Sequence, residues 1–132
     1  MKFMLDTNIC IHIIRQKPRQ VLGRLQRTVQ EGICVSSITL GELEVGVAKS
    51  SAPQQNQEGL IRFLSIVDVL PFDDRAAVEY GEVQAALEQA GTPIAPLDTL
   101  IAAHARSQGL TLVTNNTREY RHVPGLALEN WV

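Results

Sequence analysis

Cysteine is scarce: Cys10 and Cys34 are the only two in 132 residues. Both lie in apolar stretches, which favours reduced core thiols over a disulfide framework or a metal knot. Long apolar runs are missing as well. The longest, such as Ile9 to Ile14, stop far short of the roughly 18 residues that span a bilayer. No basic-then-apolar leader opens the chain, so a cytoplasmic protein with no membrane contact is expected. Neither G-x-x-x-x-G-K-[ST] nor G-x-G-x-x-G occurs, which removes the usual nucleotide-cofactor loops. Positive charge is not in excess either. A net charge of -2 gives the whole chain no electrostatic footprint for nucleic acid.

Hydrophobic residues at 45% and charged residues at 20% exclude a disordered chain. The length fits one domain over residues 1–132. Lys2 to Leu5 reads as a strand ending at Asp6. Asn8 to Arg15 then carries Ile9, Ile13 and Cys10, Ile14 at helical spacing. Pro18 suits the first turn of a second helix reaching about Gln30, which Gly32 closes. Ile33 to Ser36 reads as a strand and Ser37 to Lys49 as a helix, followed by a polar, loop-like stretch from Ser50 to Gln57. Leu60, Ile61, Leu64 and Ile66 suggest another helix, and Val67 to Leu70 a third strand. A long helix from about Asp74 to Ala90 follows. Gly91 to Pro96, with two prolines, reads as non-helical, and Asp98 to Gln108 as a helix. Leu110 to Thr114 is the fourth strand, and Ala127 to Glu129 a short edge strand. This alternation predicts an α/β fold, a three-layer sandwich whose short, twisted, mainly parallel sheet is flanked by helices.

In such sheets ligands bind beyond the carboxyl ends of the strands. Four acids fall there: Asp6 after the first strand, Glu42 one turn into the helix after the second, Asp98 after Pro96, and Glu119 beyond the fourth. Each also has an ordinary explanation. Asp6 and Asp98 suit helix caps, Glu42 suits a capping box with Thr39, and Glu119 suits an exposed loop. Gathered at one edge, however, carboxylates within about 4 to 6 Å raise each other's pKa unless a cation sits among them. Oxygen donors of this kind suit Mg²⁺ or Mn²⁺, with phosphate oxygens completing the shell. The chemistry that follows is metal-assisted hydrolysis of a phosphodiester, without a protein nucleophile.

These residues resemble a known family. Met4-Leu5-Asp6-Thr7-Asn8, Ser36-Ser37-Ile38-Thr39-Leu40-Gly41-Glu42-Leu43, Pro96-Leu97-Asp98-Thr99-Leu100-Ile101-Ala102-Ala103-His104-Ala105 and Leu112-Val113-Thr114-Asn115-Asn116-Thr117-Arg118-Glu119-Tyr120 occur in the order seen in PIN-domain ribonucleases, specifically the VapC toxins of type II VapBC toxin-antitoxin systems. The resemblance covers essentially the whole chain. It implies a PIN-like fold and an Mg²⁺- or Mn²⁺-dependent endoribonuclease with Asp6 and Asp98 as metal ligands. Glu42 would shape the site, with Thr7 and Thr114 in support. Many PIN domains carry Asp where this chain has Asn116, whereas Glu119 matches the acid of close VapC relatives. The resemblance further implies a homodimer, inhibition by a VapB antitoxin, and contact with DNA only through that antitoxin. The RNA substrate it suggests is initiator tRNA cut in the anticodon loop.

Charge is distributed unevenly along the chain. Residues 1 to 35 hold six bases against two acids, and the remainder six against twelve. Arg15, Lys17, Arg19, Arg24 and Arg27, with Arg118 and Arg121, are therefore either a solvated face or the groups that grip RNA phosphates. His12, His104 and His122 lack acidic or cysteine partners at ligand spacing and read as structural, and Trp131 as an anchor for the last segment. Two other functional classes fit less well. A phosphoaspartate-type phosphatase needs a second Asp two residues after the first, where this chain has Asn8. A non-catalytic binding module would make the acids mere caps.

Overall fold

Phe3–Leu5 form β1, and all three residues are buried because this strand lies in the middle of the sheet. The computed structural model describes every residue except Pro18, so the expectation for Pro18 lies outside the described residues. Around β1 stand β2 (Ile33–Ser36), β3 (Asp68–Leu70), β4 (Thr111–Val113) and β5 (Leu128–Glu129), in the order β3-β2-β1-β4-β5. All four neighbouring pairs are parallel, with Met4 opposite Cys34 on one side and Leu112 on the other. The chain builds outward through β2 and β3, then returns to the far side of β1 to lay down β4. That reversal between β1 and β4 is where a parallel sheet opens a crevice at its carboxyl edge.

Successive strand side chains point to opposite faces, and the two layers of helices follow from this. Phe3 and Leu5 pack with Ile9 and Ile13 of α1 (Thr7–Arg15), Val21 and Leu25 of α2 (Arg19–Thr28), Leu43 of α3 (Ser37–Ala48), and Leu60 and Phe63 of α4 (Pro53–Leu64). Met4 and Leu112 face the other way. They pack with Val83 and Leu87 of α5 (Asp74–Ala90) and with Ile101 of α6 (Pro96–Ser107). Gly91, at φ 71°, ends α5 in the left-handed conformation a side chain disfavours. Truncating a fully buried residue such as Leu112 to Ala removes about 2–5 kcal/mol.

The chain departs from its sequence pattern in several places: α2 ends at Thr28, short of Gln30, where a 3-10 turn over Val29–Glu31 takes over, and α4 stops at Leu64, short of Ile66. The polar stretch expected to be a loop as far as Gln57 is already helical from Pro53. Proline at the first helical position sacrifices no intrahelical bond, and no buried residue marks the helix before Leu60. Pro96 likewise opens α6, two residues before the expected start. Thr117–Tyr120, expected as loop, forms one helical turn, α7. Both cysteines are free and buried, and burial raises both thiols above their ordinary range, that of Cys34 to about 12. Trp131 does anchor the C-terminus. Its ring meets the Phe3 ring edge-on at 5.6 Å, and its Nε1 donates to Glu129 at 3.1 Å.

Candidate functional site

Asp6 directly follows the central strand, and its backbone N–H donates to the Val113 carbonyl of β4 at 2.9 Å. It is both a cap and a site acid. Oδ1 accepts from the Ile9 N–H at 2.9 Å, which caps α1, while Oδ2 accepts from the Thr114 hydroxyl at 2.5 Å. Thr114, fully buried beyond β4, in turn accepts from the Asn116 N–H at 2.9 Å. The carboxylate therefore sits across the β1–β4 crevice and is tied to both strands.

The capping-box role expected of Glu42 is not observed. Ser36 caps α3 by accepting from the Ile38 N–H at 3.1 Å. Glu42 lies further into α3 and accepts at Oε1 from the Thr7 hydroxyl at 2.6 Å, with the buried Thr39 hydroxyl 3.3 Å from that of Thr7. Thr7 thus fastens α1 to the helix carrying Glu42. Asp98 is not a cap either. Ala95 occupies the cap position without a side-chain bond, and Asp98 stands in the first turn of α6 with its carboxylate uncommitted to the backbone. The N-terminal end of a helix favours negative charge. Glu119, exposed on α7, accepts from Asn116 Nδ2 at 3.1 Å, so Asn116 and Glu119 form one polar unit.

The four acids act on one another. Burial raises the Asp6 carboxyl above the usual carboxylate range. The hydrogen bonds from Thr114 and Ile9 oppose the rise, and Asp98 and Glu42 add to it. Asp98 is raised as well, first by burial and then by Glu42 and Glu119, with the Tyr120 hydroxyl pulling the other way. No Arg or Lys pairs with any of the four; the ion pairs among the described residues are Lys2–Glu31, Arg24–Glu129 and Arg106 with Glu79 and Glu82. Nor do three His, Cys, Asp or Glu side chains among the described residues stand close enough together to ligate one ion as they are.

The basic residues divide. Arg15, Lys17, Arg19, Arg27, Arg118 and Arg121 are exposed. Arg24 is engaged: its guanidinium pairs with Glu129 and lies 5.8 Å from the centre of the Trp131 ring. A groove of about 410 Å³ between α1, α3 and α4 has Glu42, Arg15 and Arg62 on its wall. Arg62 carried no signal in the sequence, because its helix looked like a loop at its start. The sequence also missed Thr39 and Tyr120. Thr39 appeared only as the partner of a capping box, and Tyr120 only as the end of a motif. No histidine side chain bonds to the four acids among the described residues. His104 is fully buried with Nδ1 2.8 Å from Ser36 Oγ, and burial lowers its pKa. His12 meets the Lys17 carbonyl at 3.1 Å.

The chain as a whole is similar to known proteins. Residues 3–126 match the PIN domain. The tRNA(fMet)-specific endonuclease VapC of Shigella flexneri is 48% identical over 131 residues, spanning 99% of this chain and 98% of the relative. VapBC2 of Rickettsia felis, in a crystal structure bound to a promoter DNA fragment, contains a chain with a TM-score of 0.96 and 42% identity over 100% of both chains. DNA-bound VapBC from Salmonella typhimurium gives a TM-score of 0.95 and 45% identity, covering 100% of this chain and 99% of the other.

Proposed function

The chain belongs to the PIN-domain family, among its VapC ribonucleases, and from that premise we propose that it is the toxin of a type II toxin-antitoxin pair, a divalent-metal-dependent endoribonuclease acting at the β1–β4 crevice. The observation that carries the site assignment is that Asp6, tied to Thr114 beyond β4, and Glu42, tied to Thr7 beside Asp6, are gathered at one edge with no base paired to either among the described residues. Asp6 and Asp98 are both raised by burial and by neighbouring acids, and among the described residues no Arg or Lys pairs with either. The donors are all oxygen, which suits Mg²⁺ or Mn²⁺. Mg²⁺ keeps several of its waters and needs only one or two protein carboxylates, so carboxylates short of direct convergence fit it. Asp6 and Asp98 would hold the ion.

Once bound, such an ion would supply Lewis-acid chemistry for phosphodiester hydrolysis. The protein's own groups fix the geometry. Thr114 holds one Asp6 oxygen and the α1 N-terminus the other, so Asp6 cannot swing away as charge builds. Thr7 restrains Glu42, whose second oxygen is left to orient water. Asn116 steadies Glu119 at the outer lip. Arg15, Lys17, Arg19, Arg27, Arg118 and Arg121, all exposed, would bind phosphates flanking the cut, because an acidic crevice by itself repels RNA.

A relative's specificity for tRNA(fMet) makes initiator tRNA the first substrate to test. The VapBC assemblies point to a VapB-type antitoxin as the inhibitory partner, with DNA reached through it. We further propose a cytoplasmic homodimer of single-domain chains over residues 1–132. Ile61 of α4 and Ile66 just beyond it are exposed at 58% and 45%, leaving apolar surface for a second copy. Incubating the purified chain with initiator and elongator tRNA, with Mg²⁺ or with chelator, tests the reading. Cleavage should require the metal and disappear in Asp6→Asn, while metal-independent cleavage would refute it.

A further inference from the structure

Tyr120 is 1% exposed, and its ring packs in the core layer with Met4, Ile101 and Leu112. Its hydroxyl is buried and has no hydrogen-bond partner. A buried, unpaired hydroxyl costs about 1–3 kcal/mol, which phenylalanine would avoid while filling the same space. The hydroxyl is not in a neutral pocket. It is near enough to Asp98 to act on that carboxylate, with Asp6 and Glu42 within electrostatic reach. The approach to Asp98 falls short of hydrogen-bond geometry, so the two groups influence each other without being bonded.

We infer that Tyr120 is a positioning residue of the site: its hydroxyl donates to Asp98 when that carboxylate turns inward, fixing one Asp98 oxygen so that the other faces the cation. This rests on the metal-site reading given above. An ordinary phenol keeps its proton up to about pH 10, so the hydroxyl meets Asp98 as a neutral donor at neutral pH. Tyr120 would then do for Asp98 what Thr114 does for Asp6, whose Oδ2 already accepts a buried hydroxyl. The two ligand acids would each be held by one neutral O–H, which orients a carboxylate without competing for the cation as an arginine would.

Tyr120→Phe removes one oxygen and keeps the ring. Mn²⁺ affinity measured by calorimetry should fall about 10-fold or more, as happens when hydrogen-bond partners behind metal ligands are removed. The metal-free melting temperature should stay the same or rise, since an unpaired polar atom is gone. Unchanged Mn²⁺ affinity in Tyr120→Phe, alongside abolished affinity in Asp98→Asn, would overturn this inference and leave the metal site standing. Wild-type affinity in Asp98→Asn would instead overturn the metal site, and this inference with it.

Discussion

The two ends of α6 treat their charges in opposite ways. At the C-terminal end Arg106 is clasped by two acids of α5, Glu79 at 2.7 Å and Glu82 at 2.8 Å, and its guanidinium also donates to the Pro124 carbonyl at 3.0 Å. The Glu79 contact is a charge pairing without good hydrogen-bond alignment, since its Oε2 accepts no well-directed hydrogen bond. At the N-terminal end Asp98 has acids for neighbours and pairs with no Arg or Lys among the described residues, while the helix terminus and one tyrosine hydroxyl favour its charge. The fold readily places arginine opposite carboxylates where the purpose is cohesion. Among the described residues no Arg or Lys pairs with Asp98, Asp6 or Glu42, which is the arrangement the proposed metal site requires.

Substitutions at either end should therefore behave differently. Asp98→Asn is expected to have the largest effect, cutting RNA cleavage by about 100-fold or more while the protein remains folded, read from initial rates and circular dichroism. Thr114→Val, which leaves Asp6 without its hydroxyl donor, should lower Mn²⁺ affinity or activity about 10- to 100-fold. Arg106→Ala sharpens the contrast. It should leave cleavage within about two-fold of wild type and lower stability by about 1 kcal/mol in denaturant melts, because two acids are deprived of their shared partner. Replacing exposed Arg15 and Lys17 with Ala should weaken RNA binding and reduce the logarithmic salt slope by about 1 for each phosphate no longer gripped, whereas Arg24→Ala should chiefly loosen the tie to Glu129.

The smallest effect is on pH dependence. A carboxyl raised in the folded state stabilises the fold below its unfolded pKa, and that contribution is lost as pH rises through the folded value. Metal-free Asp98→Asn should therefore melt above wild type at about pH 7 and lose that advantage toward about pH 4. Mn²⁺ should close the gap at neutral pH by stabilising wild type alone. His104 works in the other direction. Its lowered pKa supports the fold above the usual histidine range, and that support fades as pH falls.

The parallel sheet and the four acids were legible because strand ends and helix starts leave periodic marks, and because Asp6, Glu42 and Asp98 each sit at such a mark. The resemblance pointed to Thr7 and Thr114 as supports; what stayed hidden was which acid each one holds, because the partners are distant in the chain. Thr114 finds Asp6 across 108 positions, and Thr7 finds Glu42 across 35. Asp98 looked like a cap because Pro96 suggested a later helix start; in fact proline supplies the start and frees the acid. Glu119 and Tyr120 lie on a helix of four residues, too short to show any period. Arg24 could not be separated from the other bases, since its partner Glu129 belongs to a two-residue strand.

Calorimetric titration of the metal-free protein with Mn²⁺ addresses the uncompensated rim most directly. Saturable binding in wild type and in Arg106→Ala, absent from Asp6→Asn and Asp98→Asn, is the predicted result. Equal binding in all four proteins would contradict it.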